Sequence, residues 1–71
     1  MTQNQKIMQH LREYGSITTM EAFMRFGITR LPSRIHELRK AGNAISGTTV
    51  NEKNRFGDNV HYTRYTLNKA V

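Results

Sequence analysis

A chain of 71 residues has the size of one domain, near the lower limit for a core that folds without a disulfide or a metal. The absence of cysteine excludes a disulfide staple and thiolate metal sites, and suits a reducing cytoplasm. Lys and Arg number 11 against 5 Asp and Glu, a net charge of +6 whose natural counterpart is a polyanion.

That charge is uneven: residues 1–28 carry +1 and residues 29–71 carry +5. The amino-terminal MTQNQKIMQH has neither an apolar signal core nor an Arg-rich transit pattern. No apolar run approaches the roughly 20 residues of a membrane span, so a soluble, cytoplasmic protein without a membrane partner is expected.

Thr2 and Gln5 have the spacing of a capping box, and Ile7, Leu11 and Tyr14 recur at helical intervals with Met8 at the edge of their stripe. Gly15 stops this first helix, which should span 3–14. After a short extended link at Ser16-Ile17, Thr18 and Glu21 form a second capping box and open a helix over 19–26. Ala22, Phe23 and Phe26 are its expected buried side, Gly27 ends it, and Ile28 fills the space between the helices. The bulky ring of Phe23 would hold the helix away from its neighbour, so Ala22, one residue earlier, must provide the close approach.

Thr29 is the expected N-cap of a third helix over 30–41, in whose first turn Pro32 loses no hydrogen bond. Leu31, Ile35 and Leu38 form one narrow apolar stripe; Arg30, Ser33, Glu37 and Lys40 fall on the far side, with Arg34 and Arg39 flanking. Gly42 ends the helix. Beyond it the period changes, and Ile45–Val50 and Val60–Leu67 read as strands joined by the polar segment 51–59, too long for a tight hairpin. Tyr65 and Leu67 share one face and Val60 and Tyr62 the other, so either a bulge or a two-sided strand is needed; Tyr65 and Leu67 are expected inward. Asn68 to Val71 reads as a loose tail.

Three helices followed by a small antiparallel β-wing over 44–67 make an α+β, winged helix-turn-helix architecture. The expected core is Ile7, Leu11, Ile17, Phe23, Phe26, Ile28, Leu31, Ile35, Leu38, Ile45, Tyr65 and Leu67.

Such a fold reads duplex DNA with side chains near the start of its third helix, held in register by phosphate contacts. Arg30, Ser33, Arg34 and Glu37 supply that set, since Arg can take guanine O6 and N7 together and Glu can accept from cytosine N4. Arg34 has an alternative role as the intrahelical partner of Glu37 at i+3. The helix dipole accounts for Arg39, whereas Lys40 faces outward toward a phosphate. In the wing, Lys53, Asn54 and Arg55 are placed on the neighbouring groove or backbone, with Phe56 either packing the loop base or wedging against sugars. Thr18 and Thr19, at a helix amino terminus, could bind a phosphate, and capping explains Thr18 equally well. Thr29, beside Arg30, completes the set.

The string F-G-I-T-R-L-P-S-R-I-H-E-L-R-K-A-G from Phe26 to Gly42, with Ile45 and the later R-Y-T-L at Arg64 to Leu67, resembles a family of small winged helix-turn-helix domains common in bacteriophages and prophages. The resemblance implies a winged-helix fold and DNA binding, and leaves regulator, excisionase and inhibitor open. It includes Arg34 but not Glu37.

His10, His36 and His61 lack metal-ligand spacing, and no nucleophile-base set, glycine-rich phosphate loop or paired carboxylate motif is present. No enzyme activity, cofactor or metal is therefore expected. Two function classes remain. The first is a sequence-specific binder of double-stranded DNA, a transcriptional regulator or architectural recombination factor acting as a homodimer or cooperatively on DNA. The second is an interaction module that docks on a host protein and inhibits or redirects it.

Overall fold

A computed structural model describes residues 1–68 of the chain. The order of elements is α1 (Gln3–Tyr14), β1 (Ser16–Thr18), α2 (Thr19–Phe26), α3 (Leu31–Lys40), β2 (Ile45–Lys53) and β3 (Asn59–Leu67). The strands form one antiparallel sheet in the order β1-β3-β2.

Both predicted capping boxes close. Thr2 Oγ1 accepts from Gln5 N while Thr2 N donates to Gln5 Oε1; Thr18 Oγ1 and Glu21 Oε1 repeat the exchange at the start of α2. Each satisfies two backbone donors that a helix start leaves unpaired. Gly15 and Gly27 stop α1 and α2 in the left-handed conformation, with φ of 84° and 68°.

The third helix is shorter than the expected 30–41. Arg30 is its N-cap, with φ −119° and ψ 51°, and no side chain caps it; Thr29, expected in that role, lies one residue too early. Pro32 sits in the first turn as anticipated, and Pro restricts the residue before it, so the chain enters the helix abruptly.

The core is built from Ile7, Met8 and Leu11 of α1, Ile17 of β1, Ala22 of α2, Ile28 of the turn, the Leu31-Ile35-Leu38 stripe of α3, and Ile45 and Tyr65 of the sheet. Phe26 and Leu67 pack at its edge. Phe23 corrects the expected core: it is 53 % exposed, whereas Ala22 is fully buried. Ala22 lets α2 approach its neighbours closely, and the ring one residue on is carried to the outside.

The hairpin is longer than the sequence suggested. Residues 51–53, expected in a loop, pair with 59–61, and the register from Ile45↔Leu67 to Lys53↔Asn59 runs without a bulge. The strand is two-sided instead. Tyr65 and Leu67 turn to the core, and Val60 and Tyr62 to the opposite face. Asn68 is not loose: its N donates to Ala44 O at 2.8 Å and its Nδ2 to Ser46 Oγ at 2.6 Å. The rest of the expected tail lies outside the described residues. Among the described residues, no helix is long and apolar enough to cross a membrane.

Among the described residues, one buried polar side chain has no polar partner at all. His10, 3 % exposed, packs against Tyr14 and edge-on to Phe26, and neither ring nitrogen has a hydrogen-bond partner. Replacing such a group by an apolar one of similar size removes an unsatisfied donor and acceptor. His10→Leu is expected to raise stability by about 1 kcal/mol, read by urea denaturation; a loss of stability would show that the imidazole has a partner in solution.

Burial also separates two α-helical positions that look alike in sequence. Ile35→Ala should cost about 2 to 5 kcal/mol, enough to unfold a domain this small, while Phe23→Ala should cost less than about 1 kcal/mol. Thermal melts of the two variants test the assignment, and equal losses would refute it.

Candidate nucleic-acid interface

α3 buries its Leu31-Ile35-Leu38 stripe and turns the rest of its circumference outward. At about 100° per residue from that stripe, His36, Lys40 and Ser33 lie at about 140°, 180° and 200°. All three are exposed. His36 was passed over in the sequence, where the histidines were weighed only as metal ligands; its helical angle would have placed it on this face.

Arg34 and Glu37 lie on the flank toward α1 and are engaged. Arg34 Nη1 and Glu37 Oε1 form an ion pair at 3.1 Å, the i,i+3 alternative foreseen for Arg34. Asn4 Nδ2 of α1 also donates to Glu37 Oε2 at 3.0 Å. Glu37 thus joins two helices, and reading cytosine would require breaking that link. On the opposite flank Arg39 is structural: its Nε donates to Ile45 O at 2.9 Å and its guanidinium lies 5.9 Å from the Tyr65 ring. Gly47 lies beside it across the strands: a Cβ there would be in ordinary contact with an Arg39 nitrogen at 3.7 Å and tight only against the Thr63 methyl at 3.3 Å.

Arg30 is exposed at the amino end of α3. A cation at the positive end of a helix dipole is unfavourably placed in isolation, so an anionic or acceptor-rich partner would relieve it. Four basic residues of the 30–40 segment, Arg30, Arg34, Arg39 and Lys40, stand against Glu37 alone. In the wing, by contrast, Lys53 and Arg55 are flanked by Glu52 and Asp58, and the tip carries no net charge. The positive field is centred on α3.

The wing tip is a locked turn over 54–58. Asn54 Oδ1 accepts from Phe56 N at 2.9 Å and Asp58 N at 3.0 Å, and Asn54 N donates to Asp58 O. The Asn54 side chain therefore holds the loop, leaving Lys53 and Arg55 as the exposed cations. Phe56, 80 % exposed, does not pack the loop base.

The three threonines separate. Thr18 is 6 % exposed and its hydroxyl is taken by the α2 cap, so it is not open to a phosphate; Thr19 is exposed beside it. Thr29 is also exposed, and with Thr19 it lines an open cleft of about 900 Å³ between α2 and β3. Met20, Phe23, Val60 and Tyr62 give that cleft an apolar surface, and Arg64 stands at its rim. No sequence signal singled out Met20, and Arg64 entered only as part of the R-Y-T-L string, with no role assigned; Met20 and Phe23 share the spacing of an ordinary buried stripe.

A helix-turn-helix pair with a cationic, outward-facing second helix and an antiparallel wing is now in place, and a family model described as a winged helix-turn-helix domain matches residues 2–70. The chain belongs to that family. Membership of the winged helix-turn-helix family points to DNA as the partner. Nothing among curated proteins and nothing among solved structures matches the chain significantly. Among the described residues no group of His, Asp or Glu is placed to hold a metal ion.

The locked turn makes a direct prediction. Asn54→Ala should release the Phe56 and Asp58 amides, raising their hydrogen-exchange rates while leaving those of α1 unchanged. Unchanged protection at both amides would mean that the side chain does not hold the loop.

Proposed function

We propose that this winged helix-turn-helix domain is a sequence-specific binder of double-stranded DNA, acting as a transcriptional regulator or as an architectural recombination factor in a phage or prophage setting. The observation that carries the reading is the outer face of α3, where Ser33, His36 and Lys40 are exposed and Arg30 stands at the helix start. An α-helix fits the major groove, and side chains on its outer face near the amino end meet base edges there. Arg30 is the reader of choice, with guanine its best match. Ser33 and His36 follow one and two turns along, and Lys40 reaches a phosphate. Arg34, tied to Glu37, orients the helix against α1. Lys53 and Arg55 approach the neighbouring backbone from the wing, and Thr19 and Thr29 border the same side. The phage setting rests on the resemblance of the segment from Phe26 to Gly42.

Binding by phosphate neutralisation releases counterions, so affinity must fall steeply with salt. With roughly four to six phosphates contacted, log K against log salt should slope near −4 to −5. A mobility-shift titration on duplex DNA across a salt series measures it; absence of binding at low salt would refute the proposal.

Base reading and anchoring should separate by substitution. Arg30→Ala is expected to cost about 1 to 3 kcal/mol on the preferred site and to relax preference at one base pair. Arg55→Ala should weaken all sequences alike and lower the salt slope by about one. A selected motif unchanged by Arg30→Ala but altered by Arg55→Ala would assign sequence reading to the wing.

A further inference from the structure

The outer face of α2 is at odds with its position on the surface. Met20, Phe23 and Met24, at helical spacing, are 68 %, 53 % and 73 % exposed, so this eight-residue helix shows solvent more large apolar side chains than it buries. Across the cleft, β3 adds Val60 and Tyr62 on the face of the strand turned away from the core. Scattered exposed apolar residues are ordinary, but a contiguous set beside a cleft marks a contact surface.

We propose that a second copy of this chain covers the face, in a two-fold dimer with α2 packed against α2. Such a contact must be self-complementary, because the same patch serves both partners. This patch carries a ridge, Met20, Phe23 and Met24, beside a cleft that an apolar ridge can enter. Its charges are also paired for the purpose: Glu21 stands on the α2 bank and Arg64 on the β3 bank. Glu21 Oε1 is held by Thr18 N, and among the described residues Glu21 Oε2 and the Arg64 guanidinium have no hydrogen-bond partner. A two-fold axis through the cleft brings Glu21 of each copy toward Arg64 of the other. Elsewhere two copies of net charge +6 repel, and a cationic face cannot meet itself. The charge-balanced apolar face is the one through which they can associate.

None of Arg30, Ser33, His36, Lys40, Lys53 and Arg55 lines the cleft, so these proposed DNA contacts stay open in the dimer, whereas Thr19 and Thr29 line it and are given over to the contact between copies. Only this consequence rests on the DNA-binding reading; the contact between copies does not. One winged helix covers about 600 to 1,000 Å² on DNA, and two joined copies double the area read.

Sedimentation equilibrium of the full chain, from roughly ten micromolar to one millimolar, tests the contact. The average mass should rise from monomer toward dimer with concentration. Phe23→Gln, neutral and compatible with a helix, should weaken dimerisation by about tenfold or more at an unchanged melting midpoint. Met24→Gln, at a still more exposed position, should act in the same direction and serves if the first variant does not fold. A wild type that stays monomeric, or a dimer that both variants leave intact, overturns the proposal. On DNA, Phe23→Gln should match wild type on a duplex with one site and lose cooperativity on a duplex with two. Equal weakening on the single site would assign the face to nucleic acid and overturn it. A dimer that binds no duplex at all would refute the DNA-binding reading and leave this one standing.

Discussion

The pairing of β1 with β3 is the constraint on which the arrangement depends. Three residues between α1 and α2, Ser16–Thr18, pair with Thr66, Tyr65 and Arg64, and Ile17 and Tyr65 meet inside the core. Without this link the β2–β3 hairpin would be joined to the helices only through the end of α3. With it, the hairpin is clamped at its base from both sides, and its distal residues are carried outward as a stiff arm. Arg39 adds a second fastening by donating to Ile45 O, so α3 and the arm hold a fixed relation. A wing can address a groove beside its recognition helix only if that relation does not drift.

Features encoded within a few residues were legible in the sequence. The two capping boxes and the glycine stops set α1 and α2 to the residue, because each signal is complete in a window of about four positions. The start of α3 was less legible: Thr29 has the right chemistry for a cap, but Arg30 occupies the position and no side chain performs the bond. The facing of α2 failed for a different reason. Ala22 and Phe26 on one side, and Met20, Phe23 and Met24 on the other, both have apolar helical spacing, and a short helix offers too few turns to rank them. Residues 51–53 and 59 of the hairpin were hidden because an arm that leaves the body is solvated on both faces and loses the alternation by which strands are recognised.

The candidate site shows the same division. Ser33 and Lys40 follow from helical angles alone, and the i,i+3 pair of Arg34 with Glu37 was visible as an alternative. The bond from Asn4 to Glu37 joins residues 33 apart and has no local signature. It turns a residue with the chemistry of a base reader into a brace between helices. Asn54 is similar: a polar residue in a basic loop suggests DNA, yet its carboxamide oxygen is occupied by the turn it organises.

The distance in sequence between Ser16 and its partner Thr66 also bears on how the chain reaches this state. Helix starts defined by local exchanges can form and dissolve rapidly in the unfolded ensemble, before any distant contact exists. β1 has no partner until nearly the whole chain has been brought back on itself, and closing so large a loop carries its entropic cost ahead of any return. The step that limits folding is then expected to be the closure that brings β3 back to β1, with helices flickering around a partial Ile and Leu cluster before it.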